Sequence, residues 1–365
     1  MTPSYDIAIV GAGMAGTSLA AAIGDRARTV VLEAEDMPGY HATGRSAAFW
    51  SETYGGPDIQ PLTTASGSLL RAGGHLAPLG SLHIGRAADE AAADAFLAEF
   101  ADSTVVLDRV DPAAFVPGLR ADWTVGVQEA SCAYIDVAAL HAEGIATARR
   151  AGATIVTDAA FVSATRIDGV WTIETAAGRF HASILVNAAG AWADGVAIRA
   201  GVRPLGLQAY RRTMVQLRTD PGAPDGMPHV ADIGGRFYFK PEPGGRLWLS
   251  PHDESPTDPC DAAPEDIDVA IAIDRFEHVV DWRVAAVERR WAGLRTFAAD
   301  RLPIYGFDRD TPGFFWCAGQ GGFGIQTAPA AALLAASMVL DTSPDPVIAA
   351  IDPERYSPMR FQART

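Results

Sequence analysis

Apolar residues form short runs separated by glycine-rich or polar segments, and the first run lies close to the start of the chain. The uninterrupted apolar run from Ile7 to Val10 predicts a buried strand. The segment "GAGMAG" follows it, and Thr17 to Ile23 then predict an alanine-rich helix that ends at Gly24. A second apolar run from Thr29 to Leu32 predicts another strand. This order predicts a βαβ unit with parallel strands.

The hydrophobic pattern changes further along the chain. A helix predicted from Val137 to Ala151 is followed by short strands, the last of which is the apolar run from Ile184 to Asn187. From Pro204 to Glu288 apolar and polar residues alternate in "TMVQLRT", "GRFYFKP" and "GRLWLSP", which predicts antiparallel strands. The segment "GFFWCAGQGGFGIQTAPAAALLAASMVL" predicts a strand, a glycine-rich turn and a helix that begins at Gly324 or Ile325. We therefore predict an α/β fold that combines a parallel sheet with a mainly antiparallel one.

The glycine-rich segment after the first strand has the spacing of a dinucleotide-binding loop. Gly11 permits a tight turn, Gly13 lets the backbone approach a pyrophosphate, and Gly16 lets the helix pack on the strand. Glu33 lies 22 residues after Gly11, at the end of the second strand. A carboxylate at this point accepts hydrogen bonds from a ribose 2′-hydroxyl and repels a 2′-phosphate. The unit therefore predicts a site for FAD or NAD and disfavours NADP.

A second glycine-rich turn, in the C-terminal part of the chain, favours FAD. Its glycines are Gly319, Gly321, Gly322 and Gly324. They would let the backbone lie flat against a planar ligand, and the helix that follows directs its positive end at that ligand. A reduced flavin carries negative charge at one edge and is stabilised by such a turn, whereas a nicotinamide dehydrogenase does not need one. The alternative, a glycine-rich approach to a surface helix, stays open from these residues alone.

Composition and charge narrow the class of protein. The chain has 365 residues, of which 48% are apolar and 20% charged, and its formal charge is −15. This charge argues against nucleic acids and anionic membranes as partners. No apolar run reaches the roughly 20 residues that span a bilayer. No charged and apolar leader precedes the first strand either, so we expect no integral membrane segment and a cytoplasmic location.

The thiol and basic residues add two expectations. Cys132, Cys260 and Cys317 lie far apart and have no C-x-x-C or histidine companions, so we expect three idle thiols and no metal site. Lys240 is the only lysine among 29 basic residues. We therefore expect a cation in the active site to be an arginine.

Several motifs together resemble one family of flavoenzymes. The segments "DIAIVGAGMAG", "VNAAGAWAD" and "CAGQGGFGIQTAPAAA" resemble the D-amino-acid oxidase (DAO) superfamily, which includes glycine oxidase and sarcosine oxidase. "MPGYHATGRSAA", "GVRPLGLQAYRR", "FYFKPEPGG" and "WAGLRTFAAD" are similar to bacterial FAD-dependent D-arginine dehydrogenases. The resemblance implies a Rossmann-like FAD-binding domain with a glutathione-reductase-like βαβ unit, formed by residues 1–80, 137–203 and 290–365. It also implies a mainly antiparallel substrate-binding domain formed by residues 81–136 and 204–289.

The resemblance implies which residues hold the cofactor. "GRSAA" matches the loop around the pyrophosphate and flavin, Val162 matches a residue whose backbone meets the adenine, and "NAAGAW" matches a further turn at the cofactor. The full set comprises Gly11, Gly13, Met14, Ala15, Gly16, Glu33, Ala34, Gly44, Arg45, Ser46, Ala47, Ala48, Val162, Ala188, Ala189, Gly190, Trp192, Gly321, Gly322, Phe323, Gly324, Ile325 and Gln326. Covalent members of the superfamily attach FAD to a cysteine near the segment that here is "AGLRTFAAD". Because that segment has no cysteine, we expect noncovalent FAD.

On the substrate side, the resemblance implies a D-amino acid whose carboxylate is bound over the flavin. Such an anion needs a permanent cation, and arginine can donate two hydrogen bonds to it. Arg212 in "YRR" and Arg295 in "GLRTF" match the carboxylate-binding pair of the family. Tyr54 and Tyr238 match tyrosines that donate to the carboxylate and close the site, and Gly322 matches the position whose carbonyl receives the substrate amine. The implied reaction moves a hydride from Cα to flavin N5, and the imino acid is hydrolysed to a 2-oxo acid and ammonia.

Departures from the D-arginine dehydrogenase pattern affect the substrate and the electron acceptor. Phe49 stands where those enzymes have a histidine, and His83 lies in the segment that holds their guanidinium-binding glutamate. Without that carboxylate, a cationic side chain would lose its hydration without compensation. We therefore expect a neutral or apolar substrate, with a side-chain pocket at Phe49, Trp50 and His83. Trp248 stands about where sarcosine-oxidase-type enzymes have a lysine linked to oxygen activation, which favours a quinone or another carrier over O2 as acceptor.

Other functions stay open from the sequence. The same flavin and arginines would serve a secondary-amine oxidase or dehydrogenase with sarcosine-, proline- or glycine-like substrates, or an enzyme that tailors an amino acid in a biosynthetic pathway. A flavin-binding subunit without its own substrate would need one or both arginines to be absent or misplaced. A nicotinamide dehydrogenase is disfavoured by the C-terminal turn.

Overall fold

The computed structural model describes residues 4–361. Within this range the helices are α1 (Met14–Ile23), α2 (Gln60–Ala72), α3 (Glu90–Glu99), α4 (Val137–Arg150), α5 (Ala193–Arg199), α6 (Asp266–Glu277) and α7 (Ala328–Leu340). The strands are β1 (Ser4–Val10), β2 (Thr29–Leu32), β3 (Phe49–Trp50), β4 (Leu76–Pro78), β5 (Ser81–Arg86), β6 (Asp108–Arg109), β7 (Trp123–Glu129), β8 (Ala133–Ile135), β9 (Thr154–Val156), β10 (Phe161–Ile167), β11 (Val170–Thr175), β12 (Gly178–Asn187), β13 (Gln208–Asp220), β14 (His229–Asp232), β15 (Tyr238–Glu242), β16 (Arg246–Ser250), β17 (Ser255–Thr257), β18 (Arg283–Phe297), β19 (Ile304–Phe307) and β20 (Phe314–Ala318).

An eight-stranded sheet contains the predicted βαβ unit. Its strand order is β10-β11-β12-β1-β2-β9, and β20 pairs with β12 and with β19. β1 lies parallel to both of its neighbours, so that Ile7 faces Ile184 of β12 on one side and Thr29 of β2 on the other. β20 is also parallel to β12, whereas β10, β11 and β12 form an antiparallel meander. The predicted Rossmann-like α/β arrangement is confirmed.

Helices cover both faces of this sheet because successive residues of each strand point to opposite faces. On one face Ile9 of β1 packs in a cluster with Leu19 of α1 and Leu334 of α7. On the other face Val10 packs in a cluster with Val196 of α5. These strands are buried on both sides, which explains their continuous apolar runs.

Two helices begin at residues that differ from the prediction. α1 begins at Met14 rather than Thr17, because Gly13 is the N-cap with an extended backbone (φ −70°, ψ −176°) and the end of the glycine motif forms the first helical turn. α7 begins at Ala328 rather than at Gly324 or Ile325. Residues 321–327 form successive turns instead, and Pro329 lies in the first turn of the helix, where its fixed φ is favourable.

A second sheet has nine strands in the order β17-β13-β16-β15-β14-β5-β7-β6, with β18 paired to β13. All of its pairings are antiparallel except that of β14 with β5, so the prediction of a mainly antiparallel sheet is confirmed. α6 covers one face, where Phe276 packs in a cluster with Val215 of β13 and Phe239 of β15. The other face is directed towards the first sheet and carries the candidate site.

Strand register fixes which side chains share that inner face. Gln216 of β13 pairs with Trp248 of β16, which pairs with Lys240 of β15. Side chains two residues apart lie on the same face of a strand, so Arg212 and Tyr238 join this set. The sequence pattern alone could not give this register.

The chain passes between the two sheets several times. β1, β2, β9–β12, β19 and β20 belong to the first sheet, and β5–β7 and β13–β18 belong to the second. β3, β8 and β4 form a small sheet of their own. β18 runs without interruption through residue 290, the predicted limit between the two domains, and the domain limits stay a proposal.

The described part of the chain contains no helix that is both long and apolar enough to cross a membrane. Over the same residues, no group of three or more histidine, cysteine, aspartate or glutamate side chains is arranged to hold a metal ion. Cys132 and Cys317 are buried, Cys260 is exposed, and all three are free.

Candidate active site

A cavity of about 530 Å³ lies between the two sheets. The first sheet contributes the ends of β1 and β2 and the turn after β12 at Val10, Leu32 and Ala188. The second sheet contributes its inner face, and the C-terminal glycine turn closes one end. Strands of a parallel sheet that end at one edge form a common place for a nucleotide, and the cavity lies at that edge.

The glycines of the N-terminal loop are required by close backbone contacts. Gly11 has a φ of +102°, and a Cβ there would lie 2.5 Å from the Ala188 carbonyl oxygen. A Cβ on Gly16 would overlap the Gly11 carbonyl, so Gly16 serves the packing of helix on strand and does not line the cavity. The Met14 amide donates to Thr43 Oγ1 at 2.9 Å. The N-cap residue Gly13 has no side chain that could cap the other amides at the start of α1. The positive end of α1 is thus available to a pyrophosphate.

Glu33 lies at the end of β2 and is 8% exposed. Its Oε2 accepts the Ala12 amide at 2.7 Å and its Oε1 accepts the Glu35 amide at 3.1 Å. Each oxygen keeps a second lone pair, and both Glu33 and Ala34 line the cavity. The structure therefore places this carboxylate where a ribose hydroxyl could donate to it.

The loop that contains "GRSAA" connects the cofactor side of the cavity to the second sheet. Arg45 Nη2 lies 2.5 Å from Asp261 Oδ1, and the Tyr40 hydroxyl donates to the other oxygen of Asp261 at 3.2 Å. Arg45, Ser46, Ala47 and Ala48 line the cavity. Gly44 does not line it, since its amide turns back to the Gly39 carbonyl at 2.8 Å.

The residue expected to contact the adenine is not the one that lines the cavity. Val162 is 54% exposed and does not line the cavity, whereas Ala160 and Phe161 do. His41 packs on Trp192 with 4.5 Å between ring centroids, and its buried Nδ1 has no partner. Sequence reasoning missed His41 as well as Thr43, although Thr43 directly precedes "GRSAA".

The C-terminal turn has the close contacts expected of a planar-ligand site. Gly321 has a φ of +55°, and a Cβ there would overlap the Phe297 ring. A Cβ on Gly322 would overlap the Tyr54 hydroxyl. Gly324, Ile325 and Gln326 also line the cavity, as do Ala189 and Gly190 from the turn after β12. Phe323 does not, and lines a neighbouring cavity instead.

Gln326 connects this turn to the segment that carries Tyr54. Its Nε2 donates to the Tyr54 carbonyl at 2.9 Å and to Thr63 Oγ1 at 3.0 Å, while its Oε1 accepts the Ser51 amide at 3.3 Å. Its side chain is 2% exposed, and these bonds use its donors and its acceptor. Gln326 therefore positions Tyr54.

Arg212 and Arg295 form an electropositive end of the cavity. Arg212 is 3% exposed, its Nε donates to the Asp253 carbonyl at 2.6 Å, its Nη2 donates to Glu254 at 3.1 Å, and its Nη1 has no partner. Arg295 Nη2 lies 3.4 Å from the Tyr238 hydroxyl, and Arg295 forms no ion pair with any carboxylate of residues 4–361. Burial and then the charge of Arg295 lower the pKa of Arg212 to about 10. This end of the cavity can accept an anion.

Two tyrosines flank the arginine pair. The Tyr238 hydroxyl lies 3.1 Å from the sulfur of Met214, which also lines the cavity. The Arg295 guanidinium lies 5.9 Å from the centre of the Tyr54 ring. The structure thus brings together Tyr54, Arg212, Tyr238, Arg295 and Gly322, the five residues assigned to the substrate.

The expected side-chain pocket is only partly formed as predicted. Phe49 lines the cavity and its ring lies 5.3 Å from that of Tyr54. Trp50 does not line it, because neighbours on β3 point to opposite faces: Trp50 is 1% exposed and donates to the Thr63 carbonyl at 3.0 Å. His83 does not line it either and packs on Phe96. The short strand β3 gave no periodicity from which this difference could be seen.

A second cavity of about 400 Å³ adjoins the first. Tyr54 and Arg295 line both cavities and therefore form the wall between them. Glu254, which accepts from Arg212 and from Arg301, also lines the second cavity.

Known proteins resemble this chain in sequence and in fold. Residues 6–338 match the DAO family, described as FAD dependent oxidoreductase. The bifunctional protein ThiO/ThiG of Synechocystis sp. is 28% identical over 190 residues, which cover 51% of this chain and 27% of that protein, so the match spans about a quarter of the relative's length. The crystal structure of glycine oxidase from Geobacillus kaustophilus is similar with a TM-score of 0.83 at 23% identity, covering 98% of both chains. That of L-proline dehydrogenase from P. horikoshii has a TM-score of 0.87 at 18% identity, covering 99% of this chain and 98% of that one.

The residues present fit FAD. The glycine contacts leave room for a pyrophosphate at α1, Glu33 lines the cavity where a ribose could bind, and the unpartnered Nδ1 of His41 offers a further polar contact. With the family match over residues 6–338, these features lead to one assignment. The chain belongs to the DAO family of FAD-dependent oxidoreductases, and its cofactor is FAD.

Proposed function

We propose that the protein oxidises amino acids at the carbon that carries the nitrogen, and that its substrate is a D-amino acid with a neutral side chain. The observation that carries this proposal is the surplus of positive charge at Arg212 and Arg295. Arg212 pairs with Glu254 but its Nη1 has no partner, and the Arg295 guanidinium hydrogen-bonds only to the Tyr238 hydroxyl among residues 4–361. Two guanidinium groups with so few acceptors need an anion, and a substrate carboxylate supplies one.

The residues around the arginines would then orient the substrate. Arg212 Nη1 and Arg295 donate to the carboxylate, and Tyr238 adds a hydroxyl donor. The Tyr54 hydroxyl lies against Gly322, so a substrate amine at the Gly322 carbonyl would be covered by Tyr54. Bound FAD supplies the two-electron acceptor for the carbon–hydrogen bond that is oxidised. The role of the protein is therefore to hold that bond in place and to exclude water.

The same positive charge helps the substrate amine to lose its proton. A free amino acid carries an ammonium group, which has no lone pair to assist oxidation. Two neighbouring guanidinium groups and the loss of water both disfavour a further cation, so they lower the pKa of the bound ammonium. The proton leaves to water, and the imino acid product is hydrolysed to a 2-oxo acid and ammonia.

The distribution of acidic groups supports a neutral side chain. The carboxylates that line the first cavity are Glu33, Glu35 and Asp261 among the described residues, and all three stand with the cofactor residues. Phe49 and Tyr54 form an aromatic wall near the arginines. A cationic side chain at this wall would have no counter-charge.

The surroundings of Lys240 support a dehydrogenase over an oxidase. Neither Trp248 nor Lys240 lines the cavity. Lys240 is 1% exposed, pairs with Glu242, and lies 4.3 Å from the centre of the Trp248 ring. Its charge is therefore neutralised locally and is not directed at the cavity. Hydrogen peroxide formed in step with substrate loss would contradict this assignment.

A second candidate function uses the same residues. The fold likeness to a glycine oxidase and an L-proline dehydrogenase makes glycine-, sarcosine- or proline-like amines the alternative substrates. Their carboxylate would bind the same two arginines. The candidates differ in whether the nitrogen is primary or secondary and in the configuration at Cα.

The experiment is anaerobic mixing of the FAD-loaded protein with single donors. The panel contains D- and L-alanine, -methionine, -leucine, -phenylalanine, -arginine and -lysine, together with glycine, sarcosine and both prolines. We expect neutral D-amino acids to bleach the visible flavin absorbance fastest. Faster bleaching by D-arginine or D-lysine would overturn the side-chain assignment, and faster bleaching by sarcosine or proline would select the second candidate. If no donor bleaches the flavin, the proposed function is wrong.

A further inference from the structure

His229 is a buried imidazole next to the substrate end of the cavity, and no residue of the proposed reaction uses it. The residue is 4% exposed. Its ring centroid lies 4.6 Å from that of Phe49 and 5.4 Å from that of Tyr238, and both of these residues line the cavity. His229 therefore stands directly behind the aromatic wall.

The orientation of the His229 ring follows from its strand and its hydrogen bond. His229 of β14 is two residues from Ala231, which pairs with Tyr238, so His229 and Tyr238 project from the same face of the sheet. Nδ1 lies 3.1 Å from Oγ of Ser81, its cross-strand partner on β5. Nε2 is at the far end of the ring and on the edge away from Ser81, hence on the side of β15 and Tyr238. This atom is buried and has no hydrogen-bond partner.

His83 is a second buried imidazole in the same region as His229. His83 of β5 pairs with Ala231, so it lies on the same face, diagonal to His229, and its buried Nε2 also has no partner. Burial lowers the pKa of His83 to about 4. Burial and then the neighbouring His83 lower the pKa of His229 well below its usual range. Both rings are therefore neutral at pH 7 and can each donate or accept one hydrogen bond without carrying charge.

A buried polar atom without a hydrogen-bond partner is unfavourable, so two of them in this region point to a ligand group that satisfies them. We propose that His229, with His83 beside it, forms the far end of the substrate's side-chain pocket and hydrogen-bonds a neutral polar group such as a hydroxyl or a carboxamide. This inference rests on the proposed function and refines the substrate class from neutral to neutral and polar.

The position of Phe49 explains how such a site would be reached. Its ring lies between the cavity and His229, at an angle of 30° to the imidazole. Neither His229 nor His83 lines the cavity, so a polar side chain would have to pass the edge of this ring to reach Nε2. A pocket with polar groups at its end rejects an apolar isostere because the polar groups then remain unsatisfied.

The test compares pairs of substrates of similar shape. Rates of anaerobic flavin bleaching and kcat/KM are measured for D-serine against D-alanine, D-asparagine against D-leucine, D-glutamine against D-methionine and D-tyrosine against D-phenylalanine. We expect the polar member to be preferred about tenfold in at least one pair, as one hydrogen bond predicts. In His229→Leu that ratio should fall to about one, because the polar member loses its hydrogen bond and the apolar member no longer leaves an imidazole nitrogen unsatisfied. His229→Asn retains a donor and should keep part of the preference.

A matched control is His181→Leu, since the Nδ1 of His181 also lies near a hydroxyl, 3.2 Å from Thr172, but in the first sheet. FAD content and thermal midpoint are recorded for each variant so that misfolded protein is recognised. Equal rates within every pair, or a polar preference that survives in both His229 variants, would overturn the inference while leaving amino-acid oxidation intact. Failure of all donors with the unmodified protein would instead refute the proposed function.

Discussion

Arg211 and Arg212 are neighbours on β13 that point to opposite faces of the sheet. Arg211 pairs with Glu265 and, at 3.0 Å, with Asp268 of α6, whereas Arg212 lines the cavity. Each of the two has one buried nitrogen without a partner, but only that of Arg212 belongs to a residue of the cavity. We expect Arg212→Met to reduce kcat/KM for the best amino acid by about a hundredfold or more, because a buried charged contact to the substrate is lost. FAD content should stay unchanged.

Arg211→Met is the matched control for this prediction. It removes an arginine from the same strand without touching the cavity, so it should change the thermal midpoint more than the kinetics. Equal losses of kcat/KM in the two variants would contradict the placement of Arg212 at the substrate.

The pKa of Arg212 gives a pH dependence for anion binding. The guanidinium binds a carboxylate only while protonated, and its pKa is lowered to about 10 by burial and by Arg295. Binding is therefore present below this pKa and is lost as the pH rises through it. Competitive inhibition by propionate, which has no amine to titrate, should be constant up to about pH 9 and weaken above about pH 10. An inhibition constant that stays the same from about pH 8 to about pH 11, on both sides of that pKa, would contradict this.

The contact between Gly322 and Tyr54 can be tested by a double variant. A Cβ on Gly322 would overlap the Tyr54 hydroxyl, so Gly322→Ala should displace Tyr54 and lower kcat/KM at least about tenfold. Tyr54→Phe removes the oxygen that is overlapped. The double variant should therefore be more active than Gly322→Ala alone, which steady-state kinetics would show. Strictly additive losses would mean that the two residues do not meet.

At the scale of elements, two loops meet over the cofactor side of the cavity. Arg45 from the loop before β3 pairs with Asp261 from the loop between β17 and α6, and Tyr40 donates to the same carboxylate. We expect Asp261→Asn to release FAD about two- to fivefold faster, as loss of an exposed ion pair predicts. The rate is measured by the rise in flavin fluorescence on dilution. Asp258→Asn, on the same loop but without a basic partner among residues 4–361, should release FAD at the original rate.

The end of β7 fixes the segment that leads to Tyr54. Glu129 is fully buried and accepts from Ser51 Oγ at 2.8 Å, from the Glu52 amide at 2.7 Å and from Thr53 Oγ1 at 2.6 Å. Glu129→Ala would leave these donors unsatisfied, so we expect a loss of about 2–4 kcal/mol in the free energy of unfolding. Denaturant titration of the FAD-bound protein measures it. Glu174→Ala, which removes an exposed pair with Arg179, should cost less than about 1 kcal/mol.

The elements also show where sequence reasoning ended. The apolar runs predicted β1 and β2, and the N-cap residue Asp136 accepts the Ala139 amide at 2.9 Å at the start of α4, where a helix was predicted. The predicted start of α1 is too late and that of α7 is too early, because the glycine-rich turns before both helices have no hydrophobic periodicity. Trp50 was placed at the substrate because a two-residue strand does not reveal which of its side chains faces inward.

At the scale of the whole molecule, the sequence predicted two sheets and a nucleotide site, but not how the sheets face each other. Arg212 and Arg295 are 83 residues apart, and only the register of β13 with β18 brings them to one face. The resemblance to a family suggested the pair. Whether the imidazole nitrogens of His83 and His229 find a hydrogen-bond partner depends on how neighbouring strands and helices pack around them. No motif in the sequence predicts that packing.

The inner face of the second sheet also holds the only lysine of the chain, at 1% exposure. Reagents that acylate amines can reach its Nζ only when β15 and β16 separate, so the acylation rate reports how often this sheet opens. The acylation rate of Lys240, followed by mass spectrometry with and without FAD, would thus measure how much the cofactor reduces opening of the second sheet.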